Sequence, residues 1–517
     1  MIIIPLNGLP GQGYYFSAYI GTPGQKVFLL IDTGSANLAV ASKNNLGVKT
    51  YFNAQSSSSL SYLHKRISLN YLQGSWSGEL VLDNLDFSSN ESKEKKSSQV
   101  VRVEIALIDQ AVDFFLDAQG KTNWNGIAGL SFSNIAVQPH SNDGFSYAWI
   151  NYLVPSMLTW YSPTLRRPST HSFLDDMAVK FQLQDIFSVS LCGSTQSINK
   201  GHNEEIDGQF IIGGYKKELK DSKMEFLFTP VRFAWYFEVI LTNFRVNGEE
   251  VIRDCKELNF DKTIVDTGTT NIRLPYRVFD AFVEKVKAYI KHKDVKSYSS
   301  ISERFWESKS VRNSNLFKAL CQTNVRPLGG STGAPFNIFP DLEWDMVIDG
   351  NKENTTILRL NLSPQQYIRY VGQIDDGSGK KDCFVFGVQR NIIGTVMGSV
   401  FLEGFYTIFD RSGMKIGFGD SKCSVYTIAE GISKSSVVGE KQWFIPHIPD
   451  ASKYTLVKQT TQPKDCAFFR LDASQLSREI FGINLWLATF VVITILLTAC
   501  MIIVTFMTIK IIIKLIH

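Results

Sequence analysis

Apolar and polar positions alternate with a period of two over short runs along most of the chain, and glycine, proline, asparagine and serine punctuate them. This is the pattern of half-buried β-strands. The clearest runs are YYFSAYIGT from Tyr14, KVFLLID from Lys26, ISLNYL from Ile67, VRVEIALI from Val101, FSVSLCG from Phe187, QFIIGG from Gln209, FEVILTNFRVNG from Phe237, TVMGSVFL from Thr395 and FYTIFD from Phe405. Apolar spacing of three and four predicts a helix over Val278–Lys291, VFDAFVEKVKAYIK. The pattern lapses in Gln138–Asp176, with its prolines, and in Lys293–Asn315, rich in serine and charge; both read as surface insertions, the second as disordered. It lapses again between Lys422 and Gln475, a low-periodicity stem.

At 517 residues the chain exceeds what one hydrophobic core usually serves, so two lobes with appendages are expected. A composition of 44% hydrophobic and 20% charged residues is that of a folded protein. The net charge of +4 comes from scattered lysines and arginines, without the basic stripe that nucleic-acid binding requires. Cysteines stand at 192, 255, 321, 383, 423, 466 and 500, with no CxxC pair and no His/Cys cluster, and the seven histidines show no metal-ligand spacing. The first six therefore read as three disulfides formed in an oxidising compartment; spacing leaves 15 connectivities open. No metal or other cofactor is implied.

From Trp486 to Ile509 there are 24 residues without a formal charge. As a helix they would span ~36 Å, against a hydrocarbon core of about 30 Å. Lys510 and Lys514 follow, whereas Arg478 and Glu479 offset one another before it, so the positive-inside rule predicts a type I single-pass protein with a short cytoplasmic tail. The sequons at Asn90, Asn354 and Asn361 then fall on the luminal side as plausible glycan acceptors. The N-terminus has no basic region and only a three-residue apolar run before Pro5, so it does not read as a signal peptide. Beside the disulfide reading, this implies that Met1 is not the natural start or that the chain is a fragment.

Candidate chemistry lies in two turns. FLLIDTGSANLAV (Phe28–Val40) carries Asp32 between apolar runs, and NFDKTIVDTGTTNIRL (Asn259–Leu274) carries Asp266, 234 residues later. A lone Asp-Thr-Gly is an ordinary surface turn. Two copies in the same apolar frame suggest two half-chains that each present one carboxylate to a shared cleft. Each is followed by an apolar-apolar-glycine element, Ile127-Ala128-Gly129 and Val396-Met397-Gly398, where glycine admits another backbone. Carboxylates brought together cannot both ionise, so they share a proton: one serves as base toward a water, the other as acid toward a peptide carbonyl. Gly34 and Gly268 permit the tight turns, and Thr33, Ser35, Thr267 and Thr269 supply hydroxyls that orient the acids. A second enzyme signal, G-x-S-x-G over Gly329–Gly333, lacks the strand and helix of a nucleophile elbow.

These motifs make the chain resemble the pepsin-family aspartic proteases, and among them the membrane-anchored β-secretases (memapsins), from Gly11 to the apolar C-terminal segment. Further runs that carry the likeness are GQGYY at Gly11, TTNIRLP at Thr269, NIFPDL at Asn337, LSPQQYIRYV at Leu362 and GTVMGSVFLEGFYTIFDR at Gly394. The resemblance implies a mainly β, bilobed acid-protease fold with a central cleft. It places Tyr71 of NYLQGSWSGEL on a flap, its hydroxyl able to meet the indole of Trp76, with Gln73 and Arg273 as further substrate contacts. It also implies disulfides Cys192–Cys423, Cys255–Cys466 and Cys321–Cys383.

The expected organisation is an N-terminal lobe with flap at 1–188, a C-terminal lobe at 189–425, a disulfide-tied stem at 426–483, a membrane helix at 484–509 and a tail at 510–517. The expected partners are polypeptide substrates, mainly type I membrane proteins, met at the bilayer in the Golgi, endosomes or at the cell surface. Two other readings are a secretory or vacuolar pepsin- or yapsin-like protease of broad specificity, and an inactive receptor on the protease fold. The second would be expected to lose an acid, a turn glycine or the flap tyrosine. The tail IIIKLIH lacks the acidic dileucine signal of vertebrate relatives.

Overall fold

The computed structural model describes residues 1–9, 13–43, 46–71, 74–87, 100–115, 122–136, 172–192, 196–199, 205–219, 225–306, 320–323, 338–421, 424–425 and 457–467, apart from residues 352, 376, 378, 379, 393, 404 and 463. The fold is mainly β, as the alternation predicts. The strands of the N-terminal half are β1 (Ile2–Leu9), β2 (Gly13–Ile20), β3 (Gln25–Asp32), β4 (Leu38–Ala41), β5 (Ser61–Asn70), β6 (Ser75–Asp86), β7 (Val100–Val112) and β8 (Gly126–Gly129).

These eight strands continue into five from the C-terminal half, Ile186–Leu191, Gly208–Ile212, Leu227–Pro230, Phe405–Asp410 and Lys415–Asp420, to form one 13-stranded sheet. The bridge is β1, whose residues Ile2–Leu6 pair antiparallel with Gly208–Ile212 and whose end pairs with β2. Sequence reading did not find this strand, because Pro5 interrupts its apolar run. The signal was nonetheless there: Ile2, Ile4 and Leu6 alternate and are buried. The remaining sheets lie in the C-terminal half; the largest pairs Leu241–Val246, Leu342–Gly350, Thr355–Leu362 and Val457–Thr461.

In both halves the acid-bearing strand runs parallel to its apolar-apolar-glycine strand. β3 pairs with β8, setting Asp32 opposite Gly129, and Thr263–Val265 pairs with Thr395–Met397, which Gly398 follows. A Cβ on Gly129 would lie 2.5 Å from the Ala36 carbonyl carbon, and one on Gly398 2.5 Å from the Thr269 and Asn271 oxygens. Neither position has room for a side chain, which is the close approach read from the sequence.

Helix α1 (Phe173–Phe181) and helix α2 (Tyr276–Lys293) pack against these sheets. The predicted helix at 278–291 is therefore found, extended at both ends. Its apolar stripe, Val278, Phe279, Phe282, Val283, Val286 and Ile290, is buried, and its last turn carries Lys291, His292 and Lys293, the charge that suits a helix C-terminus.

Both expected insertions need correction where the structure describes them. Residues 173–176 open α1, capped by the Ser172 hydroxyl; residues 138–171 lie outside the described residues. Lys293–Trp306 is ordered: Asp294 caps a short helix over Val295–Ser300, and Phe305 and Trp306 are buried against Phe339 and Phe386. Serine and charge face out while two aromatics anchor the segment, so average composition misread it. Residues 307–315 lie outside the described residues. TVMGSVFL is three residues of strand followed by a helix at Ser399–Leu402.

Two expected disulfides are present, Cys255–Cys466 and Cys321–Cys383. For the third, Cys192 is buried, whereas Cys423 lies outside the described residues. The stem is less separate than its low periodicity suggests, since Val457–Thr461 pairs with Thr355–Arg359 and Cys466 is fastened to Cys255. Among the described residues no helix is long and apolar enough to cross a membrane, and the segment 484–509 lies outside them.

Candidate active site between the two acid turns

The turns after β3 and after Thr263–Val265 meet, and two threonines lock them. The Thr33 amide donates to Thr267 Oγ1 at 3.0 Å and the Thr267 amide to Thr33 Oγ1 at 2.9 Å. Each hydroxyl then donates into the strand of the opposite half, Thr33 Oγ1 to the Val265 carbonyl at 2.9 Å and Thr267 Oγ1 to the Ile31 carbonyl at 3.0 Å. Four reciprocal bonds, all buried, thus join residues more than 230 positions apart.

The carboxylates are held in matching ways. Asp32 accepts from the Gly34 amide at 2.8 Å and from the Ser35 hydroxyl; Asp266 accepts from the Gly268 amide at 2.9 Å and from Thr269 Oγ1 at 2.6 Å. Each also packs on the other's turn glycine. A Cβ on Gly34 would lie 2.8 Å from the Asp266 carboxyl, and one on Gly268 would lie 2.3 Å from Asp32 Oδ1. The two carboxyls are thus brought close enough to act on each other electrostatically. Both are buried, with 4% of Asp32 and 7% of Asp266 exposed. Burial first, and then the Asp266 charge, push the Asp32 carboxyl well above the usual carboxylate range, while the Ser35 and Gly34 hydrogen bonds oppose the shift. Such a pair holds one proton between two oxygens, poised to give one and take one.

Tyr71 follows β5 at the tip of the β5–β6 hairpin, where its amide donates to the Gly74 carbonyl at 2.9 Å. The Trp76 indole N–H donates to the Tyr71 hydroxyl at 3.3 Å, the contact expected of the pair. Burial and the Asp32 charge raise the Tyr71 hydroxyl above its ordinary range, so the hairpin lies within electrostatic reach of the acid turn. Its ring stacks on Phe114, centroids 5.4 Å apart. Gln73 lies outside the described residues. Arg273, on Ile272–Pro275, sits within electrostatic reach of Asp266; burial lowers its guanidinium, and its Nε has no partner among the described residues.

Sequence reading missed the apolar wall beside the hairpin, where Leu30, Phe114, Phe115, Trp124 and Ile127 cluster with Trp76. The Phe-Phe pair just after a strand, and a tryptophan opening WNGIAGL, were the available signals. It also missed Glu403, the single acid inside the apolar run GSVFLEGF. Of the sequons, Asn354 is exposed next to the turn before Thr355–Leu362, Asn361 is half-buried within that strand, and Asn90 lies outside the described residues.

Comparison with known proteins agrees with this geometry. A family model described as "Eukaryotic aspartyl protease" matches residues 13–421. The protein named "Beta-secretase" from Strongylocentrotus purpuratus is 34% identical over 428 residues, covering 81% of this chain and 68% of the relative. "Gastricsin" from Cavia porcellus is 24% identical over 421 residues, covering 78% and 79%. "Vacuolar aspartic protease" from Candida albicans is 25% identical over 289 residues, covering 55% and 56%.

Proposed function

The chain belongs to the eukaryotic aspartyl protease family and is an aspartic-type endopeptidase; from that premise we propose that Asp32 and Asp266 are its catalytic dyad and that it sheds the ectodomains of membrane proteins, as a β-secretase-like enzyme. The observation that carries the dyad is the packing of each buried carboxyl against the other's turn glycine inside the reciprocal threonine lock. The ionised acid takes a proton from the attacking water. The protonated acid bonds the peptide carbonyl and then returns a proton toward the leaving amine. Thr33, Gly34, Ser35, Thr267, Gly268 and Thr269 hold the pair in register. Tyr71 and Trp76 close the hairpin over the substrate and exclude water, which strengthens the electrostatics of the dyad, while Gln73 and Arg273 contact the bound peptide.

The shedding reading is supported by the likeness to the sea-urchin protein named beta-secretase and by the uncharged Trp486–Ile509 segment. In this reading the chain divides into lobes at 1–188 and 189–425, a stem at 426–483, a membrane helix at 484–509 and a cytoplasmic tail at 510–517. The catalytic part is luminal or extracellular, carries glycans at Asn90, Asn354 and Asn361, and holds a third disulfide, Cys192–Cys423. Anchoring confines enzyme and substrate to one surface and raises their effective concentration.

The test assays the processed full-length protein on a peptide library from pH 4 to 7, beside Asp32→Asn and Asp266→Asn. The expected loss in each variant is on the order of 10²- to 10⁴-fold or more, and equal cleavage by all three proteins removes the dyad. Glycosidase sensitivity and protease protection in sealed membranes report the topology; an unprotected, unglycosylated catalytic part removes the membrane reading.

A further inference from the structure

Below the C-terminal acid turn lies a second buried polar connection between the halves. The helix Ser399–Leu402 is bonded directly to that turn: the Ser399 amide donates to the Thr269 carbonyl at 2.7 Å, the Val400 amide to the Thr270 carbonyl at 2.9 Å, and the Ser399 hydroxyl to the Thr267 carbonyl at 3.0 Å. Glu403 caps this helix, its amide donating to the Ser399 carbonyl at 2.8 Å, while its own carbonyl accepts from the Gln366 side chain. The Glu403 carboxyl leaves the C-terminal half. It accepts from the Tyr14 hydroxyl at 2.9 Å across 389 residues of chain. Tyr14 stands on β2, the strand that runs antiparallel beside the Asp32 strand β3. One chain of contacts therefore runs from the Asp266 turn, through Glu403 and Tyr14, to the strand beside Asp32.

The titratable groups that act on Glu403 are Tyr14, from β2, and Arg369, from Ile368–Asp375; its own helix carries none, and the turn Pro364–Tyr367 reaches it through the neutral Gln366 amide. Glu403 is 5% exposed and Tyr14 fully buried. Burial pushes the Glu403 carboxyl up to about 8, against the pull of the Tyr14 hydrogen bond and the Arg369 charge. Burial also lowers the Arg369 guanidinium to about 10, and its Nε has no partner among the described residues.

Resting on the dyad reading, we infer that Glu403 is a positioning residue for peptide hydrolysis: through Tyr14 it holds the two acid turns in register, and it does so only while it carries its proton. A neutral carboxyl sits in this dry junction as an acceptor for Tyr14. Ionisation places a charge there whose desolvation Arg369 and Tyr14 offset only in part, so the junction loosens and the two carboxyls lose alignment. Misplacement of about 1 Å is enough to cost on the order of 10²-fold in rate.

The linkage has a definite sign. A folded-state value near 8 exceeds the ordinary glutamate value, so between these limits the folded chain holds the extra proton and stability falls as pH rises.

The experiment measures kcat/KM and thermal unfolding of the full-length protein from pH 4 to 9, for wild type, Glu403→Gln, Tyr14→Phe and Asp32→Asn, each active profile normalised to its own acid-side maximum. Wild type is expected to lose about tenfold more of its normalised kcat/KM by pH 9 than Glu403→Gln, which cannot ionise. Its Tm is expected to fall more steeply than that of Glu403→Gln as pH rises toward 8. Tyr14→Phe removes the link through which Glu403 acts, so the alkaline step in kcat/KM is expected to disappear, while the fall in Tm moves to higher pH because the lost bond favoured the carboxylate; this variant carries the test if Glu403→Gln does not fold. Glu403→Gln with the wild-type limb and the wild-type Tm slope overturns the proposal, as does an alkaline step in kcat/KM that persists in Tyr14→Phe. An Asp32→Asn protein as active as wild type overturns the dyad instead, and with it the positioning role, while the Tm slopes still report whether Glu403 titrates.

Discussion

The strand that delivers Asp32 runs eight residues, Gln25–Asp32, within the 13-stranded sheet; the one that delivers Asp266 runs three, Thr263–Val265, in a four-stranded sheet. The first is held by apolar packing on both faces, with Val27, Leu29 and Ile31 in one cluster and Leu30 in the other. The second is surrounded by cross-links. Both observed disulfides lie in its half, and so does a buried ion-pair network in which Asp345 is clasped by Arg245 and Arg359, each at 2.7 Å. No cysteine precedes residue 192. Yet the two acids end with matching partners, each accepting from the glycine amide two residues on and a hydroxyl three residues on. The difference teaches that the geometry of the dyad belongs to the turn and its partner turn, and that each half reaches it by a different route.

Breaking the cross-links tests that contrast most forcefully. Replacing Cys255 and Cys466 by serine opens a 211-residue separation and is expected to cost about 5 kcal/mol by the chain-entropy model, and the 62-residue Cys321–Cys383 link about 4 kcal/mol. Hydrogen exchange should show the loss in Leu342–Gly350 and Thr355–Leu362, with β5, β6 and β7 still protected. Equal loss in both halves would show that the N-terminal sheet depends on the links as well.

Adding a methyl group at the turn glycines sharpens the comparison at the dyad. Gly268→Ala presses on Asp32 from 2.3 Å and Gly34→Ala on Asp266 from 2.8 Å, so kcat should fall by about 10²-fold or more in the first and less in the second. The reverse order would mean that the N-terminal turn is the more rigid.

The threonine lock should be symmetric. Thr33→Val and Thr267→Val each leave buried groups unpaired and should cost about 1 to 3 kcal/mol in urea unfolding. Thr33→Val breaks the bonds to the Thr267 amide and the Val265 carbonyl, and Thr267→Val those to the Thr33 amide and the Ile31 carbonyl; the double variant should cost less than the sum, because losing either pair already loosens the other within the same lock. Strict additivity would mean that the halves are held together elsewhere.

The smallest effect is expected at the β5–β6 hairpin of the N-terminal half. Tyr71→Phe deletes the 3.3 Å hydrogen bond and keeps the ring, so kcat/KM should drop by about 2- to 10-fold with little change in Tm. A large fall in Tm would assign the pair to the core rather than to closure.

Much of this was legible in the residues. Turn chemistry is local, so Asp-Thr-Gly in an apolar frame announced itself twice; apolar spacing found α2, and the glycines behind both turns were read as places of close approach. The segments that misled were those in which average composition concealed a few buried side chains: Ile2, Ile4 and Leu6 around Pro5, and Phe305 and Trp306 within a serine-rich stretch. Their partners lie far away in the chain, at Gly208–Ile212 and at Phe339 and Phe386. No local window contains both sides of such a contact.

By itself the sequence determined the mainly β character and the two acid turns with their hydroxyl and glycine neighbours, because each rests on backbone preference or on side chains a few positions apart; the pairing of Tyr71 with Trp76 was expected from the family resemblance alone. Only the tertiary structure decided that Thr33 and Thr267 exchange bonds, that each carboxyl packs on the other's glycine, that β1 joins the halves, and that Glu403 meets Tyr14. These contacts span some 200 to nearly 400 residues of chain. They follow from how whole sheets pack and bury polar groups together, a cooperative outcome that no single stretch of residues encodes.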